Sequence, residues 1–169
     1  LEVSARSLIE PTEAIHIKSI IAESLPIAPL EDSAIYTAIL AKTFLKKAFL
    51  LHELFSIPGH GMKAERKSRH LYDLYVMMKK DFAKDAVKDD VLWESIRHHR
   101  EIYTSVMEMD YTPDVRRRLQ LVPREDILDE WKVDYEAMKE SMIYGKKPSF
   151  EKLLIAISEL QDRFRSAKR

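Results

Sequence analysis

A mainly helical fold, a bundle of about five helices, follows from three features of the sequence. Only three glycines occur in 169 residues, too few for the positive-φ turns that an all-β chain rich in hairpins requires. From residue 42 onward, apolar residues recur at steps of three and four, the period of an amphipathic helix. The composition, 46% hydrophobic and 33% charged, supplies a core and well-solvated outer faces and leaves little room for extensive disorder. At this length a single domain is the expectation, or one small domain with an appendage.

The first residues depart from the helical pattern. Leu1, Val3 and Ala5 alternate with Glu2, Ser4 and Arg6, the period of a half-buried strand. A lone edge strand leaves backbone groups unpaired. The rest of its sheet is therefore expected upstream, and the chain, which opens on Leu1 and not on Met, reads as a trimmed fragment cut within a domain. Pro11, Pro26 and Pro29 punctuate the next stretch, with a short helix expected over residues 14–24 and a short extended or helical piece over 34–40.

The helices follow in order. Over 42–55, Phe44, Ala48, Leu51 and Phe55 form one stripe that Leu45 and Phe49 widen, and Pro58, Gly59 and Gly61 end it. A second helix is expected over 66–80, with Leu71, Leu74, Tyr75 and Met78 facing the core. A third spans 90–107 through Val91, Ile96, Ile102, Tyr103 and Val106, before a loop around Pro113. The fourth, 127–144, carries Leu128, Trp131, Tyr135, Met138 and Met142 and stops at Gly145. Ser149 caps a fifth, whose buried face is Phe150, Leu153, Leu154, Ile157, Leu160 and Phe164.

Lys plus Arg equals Asp plus Glu at 28 each, so no net field draws the whole molecule to nucleic acid or to an anionic membrane. Basic residues nonetheless cluster: Lys63, Arg66, Lys67 and Arg69; Arg97 and Arg100; Arg116, Arg117 and Arg118; and Arg163, Arg165, Lys168 and Arg169. Such clusters mark either a polar distribution of charge or ordinary solvated faces. The absence of cysteine excludes disulfides and thiolate metal sites and fits a reducing cytoplasm. No apolar run approaches the roughly 18 residues of a membrane helix.

Few positions carry chemistry on pattern alone. In the first helix Lys42, Lys46 and Glu53 project onto a narrow polar face, and Lys47 lies off it beside Thr43, Leu50, Leu51 and Leu54. Its ammonium must either snorkel to the boundary or reach into a cleft that receives an anion. On the second helix Arg66, Arg69, His70 and Asp73 share a side at spacings of three and four, as either an exposed ion pair or a site. His52-Glu53 does not open a zinc-protease helix, because Ser56 stands where the second His belongs. His98 and His99 are adjacent, point about 100° apart on a helix and cannot chelate together. There is no nucleophile elbow, Walker loop or dinucleotide fingerprint.

The segment Thr43-Phe44-Leu45-Lys46-Lys47-Ala48-Phe49-Leu50-Leu51-His52-Glu53, followed by Ser68-Arg69-His70-Leu71-Tyr72-Asp73-Leu74-Tyr75, closely resembles paired motifs of the AbiEii/AbiGii toxin nucleotidyltransferases. The likeness extends back to Leu1-Glu2-Val3-Ser4-Ala5-Arg6-Ser7 and forward through His99-Arg100, the stretch 119–123, Asp134-Tyr135 and the stretch 145–150. The resemblance implies nucleotidyl transfer from an NTP, with Mg2+, to tRNA, another RNA end or another acceptor, beside a cognate antitoxin. It implies roles for Lys47 and Asp73 in catalysis, and for Arg69 and His70, with Arg66 nearby, in binding phosphates. It also favours the cleft reading of Lys47.

The Gly-Ser or Gly-Gly turn with a following Asp-x-Asp pair, which holds the metal in such enzymes, does not occur in this sequence. Asp134-Tyr135-Glu136 lies in a helical stretch with no glycine turn before it and does not replace that pair. The resemblance implies that Glu2 matches the third acidic position of the catalytic sheet, catalytic and metal-binding, with a surface glutamate as the alternative reading. On this reading 1–40 is a remnant of a nucleotidyltransferase sheet plus linker and 41–169 a helical C-terminal domain, the short N-terminal strand being left over from an α+β sheet. The fragment alone is expected to be inert. The alternative is a non-catalytic helical module that binds RNA or a protein partner such as an antitoxin.

Overall fold

The computed structural model describes residues 11–19, 24, 33–59 and 63–167. The strand expected over 1–7, with Glu2, lies outside them. Strands β1 (Thr12–Ile17) and β2 (Ser33–Ala38) pair antiparallel, in a register that runs from Thr12 opposite Ala38 to Ile17 opposite Ser33. The helix expected over 14–24 is corrected here, since the chain is a strand as far as Ile17. Ile15 and Ile17 alternate with Ala14 and His16, a period of two, and β-branched Ile15 sits across from Ile35, a pairing that a pleated ladder favours. Residues 34–38 take the extended of their two expected forms.

Six α-helices follow the sheet among the described residues: α1 (Leu40–Ser56), α2 (Arg69–Met77), α3 (Asp81–Lys88), α4 (Asp90–Tyr103), α5 (Leu128–Ser141) and α6 (Phe150–Ser166). Two 3₁₀ turns, Pro113–Arg118 and Glu125–Ile127, lie between α4 and α5. The mainly helical expectation holds, with differences in extent. Helix α2 begins only at Arg69, because Arg66 takes a left-handed φ of 57° that no α-helix accommodates. α3 is an additional helix. Its buried stripe of Ala83, Ala86 and Val87 is small in volume and gives only a faint periodic signal.

α1 is the axis of the bundle, with α2, α3 and α4 packed on it. Phe44, Leu45, Ala48, Phe49, Leu51 and Phe55 all leave water. Phe49 stacks on Trp93 of α4 at 4.3 Å between ring centroids, and Phe44 on Phe164 of α6 at 5.8 Å. Phe55 meets Trp131 of α5 edge-on at 4.6 Å. These rings each bury a large apolar area and join four helices into one core.

Two expectations about helix faces are overturned. Lys42 and Glu53, placed with Lys46 on a solvated face, are 1% and 4% exposed. Helical periodicity cannot reveal partners that arrive from elsewhere. Glu53 Oε1 accepts from Arg100 Nε of α4 at 2.7 Å and from the Tyr111 hydroxyl at 2.8 Å, while Arg100 Nη2 donates to Oε2. Lys46 is half-buried near Lys42 and Arg100, and burial, then these two cations, lowers its pKa. On α4, Val91, Ile102 and Tyr103 face water, and Leu92, Trp93 and Ile96 face the core.

The helix ends follow local chemistry. The Asp89 side chain accepts from Leu92 N–H at 2.9 Å and Ser149 from Lys152 N–H at 3.2 Å, so α4 and α6 both start on side-chain caps. Gly145, at φ 82°, supplies the left-handed residue after α5. Four arginines of the two middle basic clusters enter internal pairs. Arg97 binds Glu94 and Glu101, Arg100 binds Glu53, Arg116 binds Asp90 and Arg118 binds Asp110.

Candidate functional site

Lys47 projects from α1 toward α2, whose core face is set by Leu71 and Leu74. That packing turns His70 and Asp73 toward α1. The Lys47 ammonium donates to Asp73 Oδ2 at 2.6 Å and lies 3.3 Å from His70 Nδ1. Three residues separated by 23 and 26 positions thus meet at one point. The side chains of Lys47 and Asp73 are 22% and 38% exposed, so the cluster is open to a ligand and its pairing is screened by water.

An ammonium only donates, so His70 Nδ1 accepts and the neutral ring carries its proton on Nε2. Burial, followed by the charges of Lys47 and Arg69, pushes the His70 pKa down to about 4. The ring is therefore neutral near pH 7 and can serve Lys47 as an acceptor. Asp73 and His70 take two of the three ammonium donors and leave one for an incoming oxygen. Arg69, whose charge reaches His70, is exposed at the first position of α2. Arg66 has an exposed side chain and enters through its backbone.

The turn that launches α2 is held from outside. Ala64 N–H donates to Glu130 Oε1 at 3.0 Å, Arg66 N–H to Asp134 Oδ1 at 2.6 Å and Ser68 N–H to Asp134 Oδ2 at 2.9 Å. Glu130 and Asp134, four apart on α5, thereby brace the turn that leads into α2. Asp134 has a structural role, with each carboxylate oxygen accepting one backbone N–H of that turn. Its role here was not evident from sequence, where only its place in the resembling stretch hinted at importance.

Among the described residues no group of three or more His, Asp or Glu side chains could hold a metal ion, and Glu2 lies outside them. His52 also has a structural role. Its Nδ1 accepts from Gln120 N–H at 3.0 Å and lies 2.5 Å from Ser56 Oγ, and burial brings its pKa down to about 4.

A family model described as nucleotidyl transferase AbiEii toxin, type IV toxin–antitoxin system, matches residues 1–156. The chain belongs to the AbiEii family. The Lys47–Asp73 contact thus joins the two segments whose resemblance to AbiEii motifs was most specific. The family's chemistry uses an NTP and a divalent metal, and no cluster among the described residues fits the metal. No curated protein and no solved structure matches the chain.

Proposed function

We propose that this chain is the helical, substrate-engaging part of a nucleotidyltransferase toxin that transfers a nucleotide from an NTP to tRNA or another RNA acceptor. Residues 41–169 form the helical domain and 1–40 the sheet portion and linker. The observation that carries this reading is the open Lys47–Asp73–His70 cluster between α1 and α2. Phosphoryl transfer is catalysed chiefly by positioning and by stabilising charge. Lys47 and Arg69 neutralise phosphate oxygens, with Arg66 on the approach. Asp73 orients the lysine or accepts the proton of the attacking hydroxyl, and neutral His70 fixes the lysine from its other side.

Glu2 is the one carboxylate of this chain assigned to the Mg2+ side of the reaction. A cognate antitoxin is the expected partner and the cytoplasm the expected compartment. No helix among the described residues is long and apolar enough to cross a membrane.

The test is transfer of labelled nucleotide to tRNA by the full-length protein, with and without Lys47→Ala and Asp73→Ala. Loss of a positioned charge lowers turnover on the order of 10²-fold, while a partly exposed pair costs at most about 1 kcal/mol of stability. Activity should therefore fall with the fold intact. Undiminished transfer in both variants removes the assignment and leaves the helical binding module.

A further inference from the structure

A second site lies on the opposite side of α1. Trp93 stacks on Phe49, which is about 200° round the helix from Lys47. There the first turns of α4, the 3₁₀ turn Pro113–Arg118 and Ala167 enclose a cavity of about 360 Å³, whose polar and aromatic lining is Asp90, Trp93, Glu94, Asp114, Arg116 and Arg117.

Arg116 is only 6% exposed. Its Nη1 donates to Asp90 Oδ1 at 2.5 Å, and its guanidinium lies 4.7 Å over the Trp93 ring. Arg116 Nε and Nη2, the parallel N–H groups of the guanidinium's side edge, have no partner. Nor does Trp93 Nε1, and these three are the only buried side-chain nitrogens or oxygens without one among the described residues. Buried donors are nearly always paired, by protein or by ordered water, and an unpaired one on a charged group is especially costly. Three of them on two stacked side chains beside one cavity call for an acceptor.

The other charges define which acceptor. Asp90 is held by Arg116 and Glu94 by Arg97, while exposed Asp114 and Arg117 carry opposite signs. The lining is thus close to neutral, and a dianion would meet three carboxylates. The side edge of a guanidinium matches the two oxygens of one carboxylate. Trp93, Pro113 and Ala167 give the cavity an apolar wall.

We propose that this cavity binds a monocarboxylate with a small apolar body, its oxygens on Arg116 Nε and Nη2 and its body against Trp93. Binding requires the guanidinium to turn within the cavity it lines, so that this buried edge faces the ligand. Two sources share this chemistry, a free small acid and the carboxyl terminus of a peptide.

The chain has two tryptophans, so the Trp93 indole N–H is one of two such NMR signals and that of Trp131 is an internal reference. Titration of the whole chain with benzoate should move the Trp93 signal saturably and leave that of Trp131 in place, and benzamide should do neither. Arg116→Lys, which keeps the charge and loses the fork, should weaken benzoate by at least about tenfold. N-acetyl-Gly-Phe, as free acid and as amide, separates the sources. Tighter binding of the peptide acid than of benzoate identifies a carboxyl terminus, and the reverse a free acid. No saturable shift with either carboxylate, an equal response to benzamide, or tighter binding of inorganic phosphate overturns the proposal. Should Arg116→Lys not fold, the comparison of benzoate with benzamide on the unaltered chain decides.

Discussion

Glu53→Ala tests the buried charge network at the heart of α1. Glu53 and Arg100 have side chains only 4% and 12% exposed, and Glu53 accepts from Arg100 through both carboxylate oxygens and from the Tyr111 hydroxyl. Removing the carboxylate strands the guanidinium in a poorly hydrated place and deprives the Tyr111 hydroxyl of its acceptor. Breaking one side of a buried pair costs about 3–5 kcal/mol, a large share of the roughly 5–15 kcal/mol that holds a domain folded. For a chain of this size each kcal/mol moves Tm by roughly 2–4 °C, so Tm should fall by roughly 6–20 °C on the same scaling. Thermal and urea unfolding by circular dichroism read this directly. Glu53→Gln combined with Arg100→Met removes both charges and should recover a good part of the loss. A Glu53→Ala protein that melts within a degree or two of the parent would refute the reasoning.

Asp134→Ala should release the Arg66 and Ser68 amides, which it alone accepts from on α5. The expected cost is about 1–2 kcal/mol, as for other side-chain acceptors of backbone N–H groups at a helix start, with a larger rise in hydrogen exchange at those two amides than within α2; unchanged exchange there would count against the bracing role. The buried His52 has its pKa pushed down to about 4, against about 6.5 in the unfolded chain. Between those values the unfolded state binds more protons, so stability is full above about pH 6.5 and declines as pH falls toward 4. Urea midpoints at pH 7 and pH 5 should differ in that direction, and His52→Gln, which keeps an acceptor for Gln120 N–H, should reduce the difference and leave the share of His70, whose pKa is lowered in the same way.

Much of the bundle is legible from spacing because α1, α5 and α6 bury long stripes of large side chains, and Ser149 caps α6 as its place before an apolar run implies. The unusual position of Lys47 is visible too, since a cation off the polar face must snorkel or meet an anion, and Asp73 supplies an anion at 2.6 Å. Periodicity could not show what covers a polar stripe. Glu53 and Lys42 have the spacing of surface residues and become core residues once tertiary partners arrive. It also misjudged β1, where proline punctuation and a mixed pattern suggested a helix until the pairing with β2 fixed the strand. Asp134 illustrates a different limit. Its role depends on backbone donors 66 and 68 positions earlier, and no local pattern on α5 announces a brace for the turn before α2.

That same long reach orders events during synthesis. α1 and α2 emerge first, yet the turn before α2 has no acceptor for its Arg66 and Ser68 amides until Asp134 has been made. A nascent chain that ends short of α5 therefore lacks these acceptors, and the turn just ahead of His70 is not yet held from outside. The cluster on α1 and α2 gains this outside hold only after more than half of the chain beyond it has been translated.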